Sequence, residues 1–154
     1  MKELDCLFIG SSTKDILMLV EAPPASDQRI AARQLEITCG GVSAIAGAAH
    51  QSLHGVTGVI TALGDDDTSH FVEAFLARQN FAYAKLFTFP GQASSTSLVQ
   101  VEENGKRCLS RYGGCIDRLT IDMLDKEVFH HTRYVHLGVM RPQLMLDICR
   151  YCKE

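Results

Sequence analysis

The sequence predicts an α/β fold: a doubly wound, mostly parallel sheet accompanied by a second, smaller β-sheet. Three observations lead there. Short apolar runs close on glycine at 4–10 (LDCLFIG) and 56–64 (VTGVITALG), the pattern of buried parallel strands, and a further strand at 133–138 (RYVHLG) also ends on glycine. Helical stretches lie between them, which gives the strand–helix alternation of a sheet covered on both faces. Extended segments at 16–39 and 96–112 interrupt that alternation, so they are expected to form a separate small sheet.

Each element has a local reason. Residues 4–10 are short, apolar and followed by a turn-like GSST, so they read as a buried strand. ILMLV at 16–20 is a second apolar run, stopped by Glu21-Ala-Pro-Pro, because proline breaks helix and strand alike. RIAARQLEITC at 29–39 alternates weakly and is expected to be extended. Residues 42–54 are alanine-rich without proline and predict a closely packed helix. VTGVITALG is the next buried strand. Phe71, Val72, Phe75 and Leu76 recur at helical spacing and predict a helix over 69–80. A strand at 82–87 follows. TSLVQVE at 96–102 alternates and meets the turn Glu103-Asn-Gly-Lys106, so 107–112 is expected to return as a hairpin strand. Residues 120–129 and 142–152 carry helical patterns, on either side of the strand at 133–138.

Composition narrows the function. The 154 residues suit one domain, and 46% hydrophobic with 21% charged is an ordinary globular balance. A net charge of -3 with no block of Lys or Arg gives no footprint for nucleic acid. No apolar run approaches the ~20 residues of a membrane span. The start, MKELDCLFIGSS, lacks the charged-then-apolar order of a signal peptide, so the expected location is cytoplasmic. The six cysteines are then expected to be free thiols rather than a disulfide framework. Cys149 and Cys152 form a CxxC without the second ligand pair of a structural zinc site, and no metal site is expected.

The glycines carry the chemistry. Ligands of an open parallel sheet sit beyond the carboxyl ends of its strands, where Gly10, Gly64 and Gly138 fall. Gly40 and Gly41 stand before the alanine-rich helix, whose free N–H groups suit an oxygen-rich ligand. The same pair also fits a tight turn with positive φ. Neither Gly-x-Gly-x-x-Gly nor a P-loop occurs.

Four motifs in order are more specific than any one. Gly10-Ser-Ser-Thr-Lys-Asp15 ends the first strand, Gly40-Gly41 opens the helix, Gly64-Asp65-Asp66 ends the next strand, and STSLVQVEENGKR forms the hairpin at 95–107. This arrangement resembles the N-terminal half of the ribokinase-like (PfkB) carbohydrate kinases, from about residue 4 to the end of the chain. The resemblance implies ATP-dependent phosphorylation of a hydroxymethyl group on a sugar, sugar phosphate or nucleoside, with Mg2+. It implies that the second sheet, about 16–38 and 96–112, is a lid over the substrate, and that a homodimer can form through it. It makes Asp15 the acceptor of substrate hydroxyls, Thr13, which stands where ribokinases have Asn, a hydroxyl that bonds the sugar, and Gly40 and Gly41 the backbone lining of the substrate site.

The departures shape the substrate. Ribokinases continue after Gly-Gly with Lys-Gly-Ala-Asn, whereas this chain has Val42-Ser43-Ala44-Ile45. Ile45 replaces an Asn that bonds the sugar, so either Ser43 compensates or the substrate is less polar there. These changes point away from ribose, and Leu137-Gly138 resembles the fructokinase branch. Arg107 and Arg111 are in reach of a substrate phosphate from the lid; they also read as solvated hairpin residues. Family members are about twice as long, and their second half holds a Gly-Ala-Gly-Asp motif whose Asp is the general base. No such motif occurs here, so no catalytic residue is expected in this chain. It is expected to be the substrate-binding N-terminal portion of a kinase, truncated within the sheet and inactive alone. The alternative is a non-catalytic polyol-binding or lid-mediated dimerisation module.

Overall fold

The computed structural model describes residues 3–153. Its first sheet is parallel and contains β1 (Leu4–Ile9), β4 (Thr57–Leu63), β5 (Tyr83–Thr88) and β8 (Thr132–Leu137), in the order β5-β4-β1-β8. The second sheet contains β2 (Thr13–Val20), β3 (Gln34–Gly40), β6 (Thr96–Glu102) and β7 (Arg107–Tyr112), in the order β3-β2-β6-β7. The helices are α1 (Val42–Ser52), α2 (Asp67–Ala77), α3 (Lys126–His130) and α4 (Pro142–Tyr151).

Period-two alternation divides the core. On one face of the parallel sheet, Leu7, Ile9, Ile60 and Ala62 pack with Leu144 and Ile148 of α4. On the other, Phe8, Val59 and Leu63 pack with Ala44 of α1 and with Val72 and Leu76 of α2. All seven residues of β4 are buried, as a central strand covered on both sides requires. The sheet is therefore doubly wound, as expected from the strand–helix alternation.

The second sheet joins the first at the carboxyl ends of its strands. β1 passes through only three residues, 10–12, before β2 begins. β3 antiparallel to β2, β6 parallel to β2 and β7 antiparallel to β6 complete it. Two corrections follow. The first segment of this sheet starts at Thr13 rather than near residue 16, so Asp15 is already inside a strand. The intervening residues 21–33, with Pro23 and Pro24, form no strand.

The helix expected over 120–129 is also absent. Two short 3-10 turns, Ile116–Arg118 and Ile121–Met123, precede the five-residue α3. The side chain of Asp125 accepts from the Glu127 N–H at 3.0 Å and starts a new helix there, which divides the run.

Candidate functional site

The site is built where the two sheets meet. The carboxyl ends of β1, β4 and β8 converge: Gly10 N–H donates to the Ile60 carbonyl at 3.1 Å, and Gly138 N–H donates to the Ile9 carbonyl at 2.7 Å. A Cβ on Gly10 would lie 2.9 Å from the Gly138 Cα, so this convergence needs glycine.

Asp15 stands on β2 beside that junction. The Thr13 hydroxyl donates to its Oδ1 at 2.6 Å. Its carboxylate lies over the Cα of Gly40, where a Cβ would come within 2.0 Å of Oδ2. Register explains the contact, since Thr13 pairs with Gly40 across the β2–β3 ladder. Thr13 is buried, so its hydroxyl orients the carboxylate from below. Asp15 is partly exposed and forms no ion pair among the described residues. A carboxylate held this way keeps lone pairs for further donors.

The two adjacent glycines do different work. Gly40 is the last residue of β3, not part of the helix opening. Gly41 is the N-cap of α1, at φ 86°, and a Cβ there would sit 2.3 Å from the Ser11 carbonyl oxygen. The pair is thus demanded by an Asp15 carboxylate on one residue and by a left-handed turn against backbone on the other.

Ser43 has a role other than the one expected. It is 0% exposed. Its hydroxyl donates to the carbonyls of Gly10 at 2.9 Å and Ser11 at 3.0 Å, and stands 3.1 Å from the Ser12 hydroxyl. It ties α1 to the loop between β1 and β2, and its one hydroxyl proton is directed at those two carbonyls. Ile45 is exposed in the first turn of α1 and offers only an apolar surface. Its one tie to the cluster is its N–H, which donates to the Gly41 carbonyl at 3.0 Å.

Gly64-Asp65-Asp66 proves to be a clamp. Both carboxylate oxygens of Asp65 accept from the Gly91 N–H at 3.0 Å. Asp66 caps α2 by accepting from the Ser69 N–H at 2.9 Å, and it accepts from the N–H and hydroxyl of Ser94 at 2.8 and 2.7 Å. The Gly64 N–H donates to the same Ser94 hydroxyl at 2.8 Å. Burial opposes the charge on Asp66, but the bonds from Ser94 and Ser69 outweigh it and hold its carboxyl below the usual range. The loop entering β6 is fixed by these bonds.

Sequence reading missed two features. Cys39 lies behind Asp15, and burial, reinforced by the Asp15 charge, pushes its thiol up to about 12. The second sheet also aligns Thr38, Asp15, Ser97 and Arg111 in one row, through the pairs Asp15–Thr38, Asp15–Ser97 and Ser97–Arg111. Period-two alternation predicts which residues share a face of one strand, but the register between strands is a tertiary outcome. Cys149 and Cys152 are exposed free thiols. Among the described residues no group of three or more His, Cys, Asp or Glu is arranged to hold a metal ion.

A doubly wound α/β layer with a four-stranded sheet rising from its carboxyl edge, and a buttressed carboxylate at the junction, defines a class of small-molecule-binding architecture. Solved structures make the fold specific. The ribokinase of Giardia lamblia superposes with a TM-score of 0.87 at 18% identity, over 99% of this chain and 47% of that one. The Arabidopsis thaliana ribokinase complexed with ribose and ATP gives 0.79 at 18% identity, over 99% and 51%. The Cryptococcus neoformans ribokinase in complex with ADP gives 0.73 at 19%, over 97% and 44%. The chain has the ribokinase-like fold. It spans about half the length of these structures. No protein-family profile matches it, and no curated protein matches it significantly.

Proposed function

We propose that this chain is the sugar-binding N-terminal portion of an ATP-dependent carbohydrate kinase, with the second sheet as its substrate lid. One observation carries the reading. Asp15, oriented by Thr13 and seated on Gly40, occupies the base of that sheet at the carboxyl ends of the parallel strands. A carboxylate there can accept two hydroxyls of a vicinal diol. Gly40 and Gly41 let backbone approach the same ligand without side chains in the way. Ile45 supplies an apolar rim and favours a ketose or nucleoside over ribose.

The acceptor site and the phosphoryl-transfer machinery are separate in this proposal. Among the described residues no group of three or more His, Cys, Asp or Glu is arranged to hold a metal ion, and no step through Mg2+ is assigned to them. ATP, Mg2+ and the general base would belong to the other part of the kinase. This chain's contribution is to bind and orient the acceptor, holding its hydroxymethyl group in place and shielding it from water under the lid.

The test is a titration of the purified chain with fructose, ribose and adenosine, followed by amide NMR. The expected result is shifts at Thr13, Asp15, Gly40 and Gly41 that Asp15→Asn removes. Absence of such shifts with every polyol would overturn the reading.

Self-association through the lid is a second reading, favoured by a specific surface. Ile16, Ile37 and Leu98 align by register on the face opposite Asp15, and Leu35 extends the patch. Leu35, Ile37 and Leu98 are exposed. Apolar groups of this kind are usually covered by a partner, here a second copy.

A further inference from the structure

We propose that the lid selects a substrate carrying an anionic group, a phosphate or carboxylate, and that Arg111 binds it. The inference rests on Asp15 being the diol-binding group, as proposed above, and adds the substrate class.

Paired residues in a ladder present their side chains to the same face. Thr38, Asp15, Ser97 and Arg111 form one such row across all four strands of the second sheet. Arg111 is therefore two strands from Asp15 on the same face, a Cα separation of about 10 Å at the usual strand spacing. A guanidinium on its long stem covers much of that gap. Ser97, nearly buried between them, offers a hydroxyl on the path.

The charges on this face make Arg111 an unsatisfied cation. The face carries Asp15, Glu36, Arg107 and Arg111. Glu36 pairs with Leu17 on the far edge strand, three strands from Arg111, and Arg107 pairs with Val101 two rows away. The arginine ion pairs among the described residues use Arg33, Arg133 and Arg150. Lys14 projects from the opposite face, its Nζ 5.5 Å from the Phe71 ring centre. The row beside Arg111 on this face is apolar at its centre, with Leu17, Val99 and Leu109. A neutral sugar on Asp15 would leave the guanidinium to water. A sugar with an anionic group at its far end would give it a bidentate, charge-assisted partner.

The experiment measures Kd of the purified chain for fructose, fructose 6-phosphate, gluconate and inorganic phosphate, by amide NMR. The expected result is binding of an anionic sugar about tenfold tighter than fructose, as one charge-assisted bond supplies. Fructose 6-phosphate and gluconate distinguish phosphate from carboxylate as the favoured group. Arg111→Leu should bring the anionic-to-neutral ratio close to one, Arg111→Lys should leave part of it, and Arg107→Leu should leave it intact. Equal affinity for neutral and anionic sugars would overturn the inference while leaving Asp15's role standing. So would a preference that survives Arg111→Leu or falls equally with Arg107→Leu, or inorganic phosphate binding as tightly as the sugar phosphate. If no sugar binds at all, the diol reading of Asp15 fails as well.

Discussion

Asp15 and its supports show how few atoms define the proposed acceptor site. A methyl group on Gly40 would overlap the carboxylate, and Thr13 below prevents the side chain from settling elsewhere without losing a bond. Gly40→Ala is therefore expected to weaken polyol binding about tenfold or more while costing only about 1 kcal/mol of stability, measured by NMR titration and urea denaturation. Gly41→Ala behaves differently. It adds a left-handed φ penalty to a clash with the Ser11 carbonyl, so stability falls by about 2–4 kcal/mol. Ser43→Ala removes the hydroxyl donor from two buried carbonyls, leaving Ser11's with only the Ser43 N–H at 3.3 Å, and is expected to cost about 1–3 kcal/mol in the same denaturation experiment. The thiols divide by burial. Cys108, Cys149 and Cys152 are exposed, whereas Cys39 is buried beside a carboxylate. Mass spectrometry after iodoacetamide treatment should find the exposed three modified first and Cys39 modified only on unfolding, because thiolate is the reactive form.

At the scale of elements, Asp66 decides how the second sheet is attached. It caps α2 and simultaneously holds Ser94 at the entry to β6. Asp66→Ala removes a cap and leaves the Ser94 donors without their acceptor, so a loss of about 1–3 kcal/mol is expected. Its pH dependence follows from the direction of its shift. A carboxyl lower in the folded than the unfolded chain contributes stability that is complete above the unfolded value, near pH 4, and lost as pH falls through the folded one. The wild type should lose stability on acidification below about pH 4, and Asp66→Asn should flatten that part of the curve in urea melts taken from pH 5 to 2.

For the whole molecule, the decisive feature is an open flank. β8 pairs only with β1, and its other edge is free among the described residues. Between β8, α3 and α4 runs a groove of about 470 Å3, lined by Phe129, Tyr134, Val135, Ile148 and Tyr151 among others. A free strand edge beside a groove that exposes aromatic side chains among basic ones is a template for association. The purified chain is expected to self-associate with concentration in sedimentation velocity. Tyr134→Lys should weaken an association through this edge, and Ile37→Lys one through the lid, so the two variants tell the surfaces apart.

Much of this was legible in the sequence, for reasons that are local. The buried strands β1 and β4 declare themselves by short apolar runs ending in glycine, and α1 by alanine and the absence of proline; β8 also ends at a glycine but is an edge strand without a buried residue. The hairpin of β6 and β7 follows from alternation around Asn104-Gly105. The division of 120–129 was not legible, because Asp122 and Asp125 interrupt a pattern that periodicity alone joins. Of the candidate site, the residue types around Asp15 and the glycine pair could be picked out, but their duties could not. Whether Ser43 faces a ligand or the carbonyls of Gly10 and Ser11 depends on how a helix start meets a loop more than thirty residues earlier. That Arg111 shares a row with Asp15 depends on two strand registers. Sequence by itself determined which segments bury apolar surface and where the chain must turn, since those are short-range consequences of hydrophobicity and backbone freedom. The tertiary structure alone decided which side chains converge, because register and docking minimise the free energy of the whole core at once.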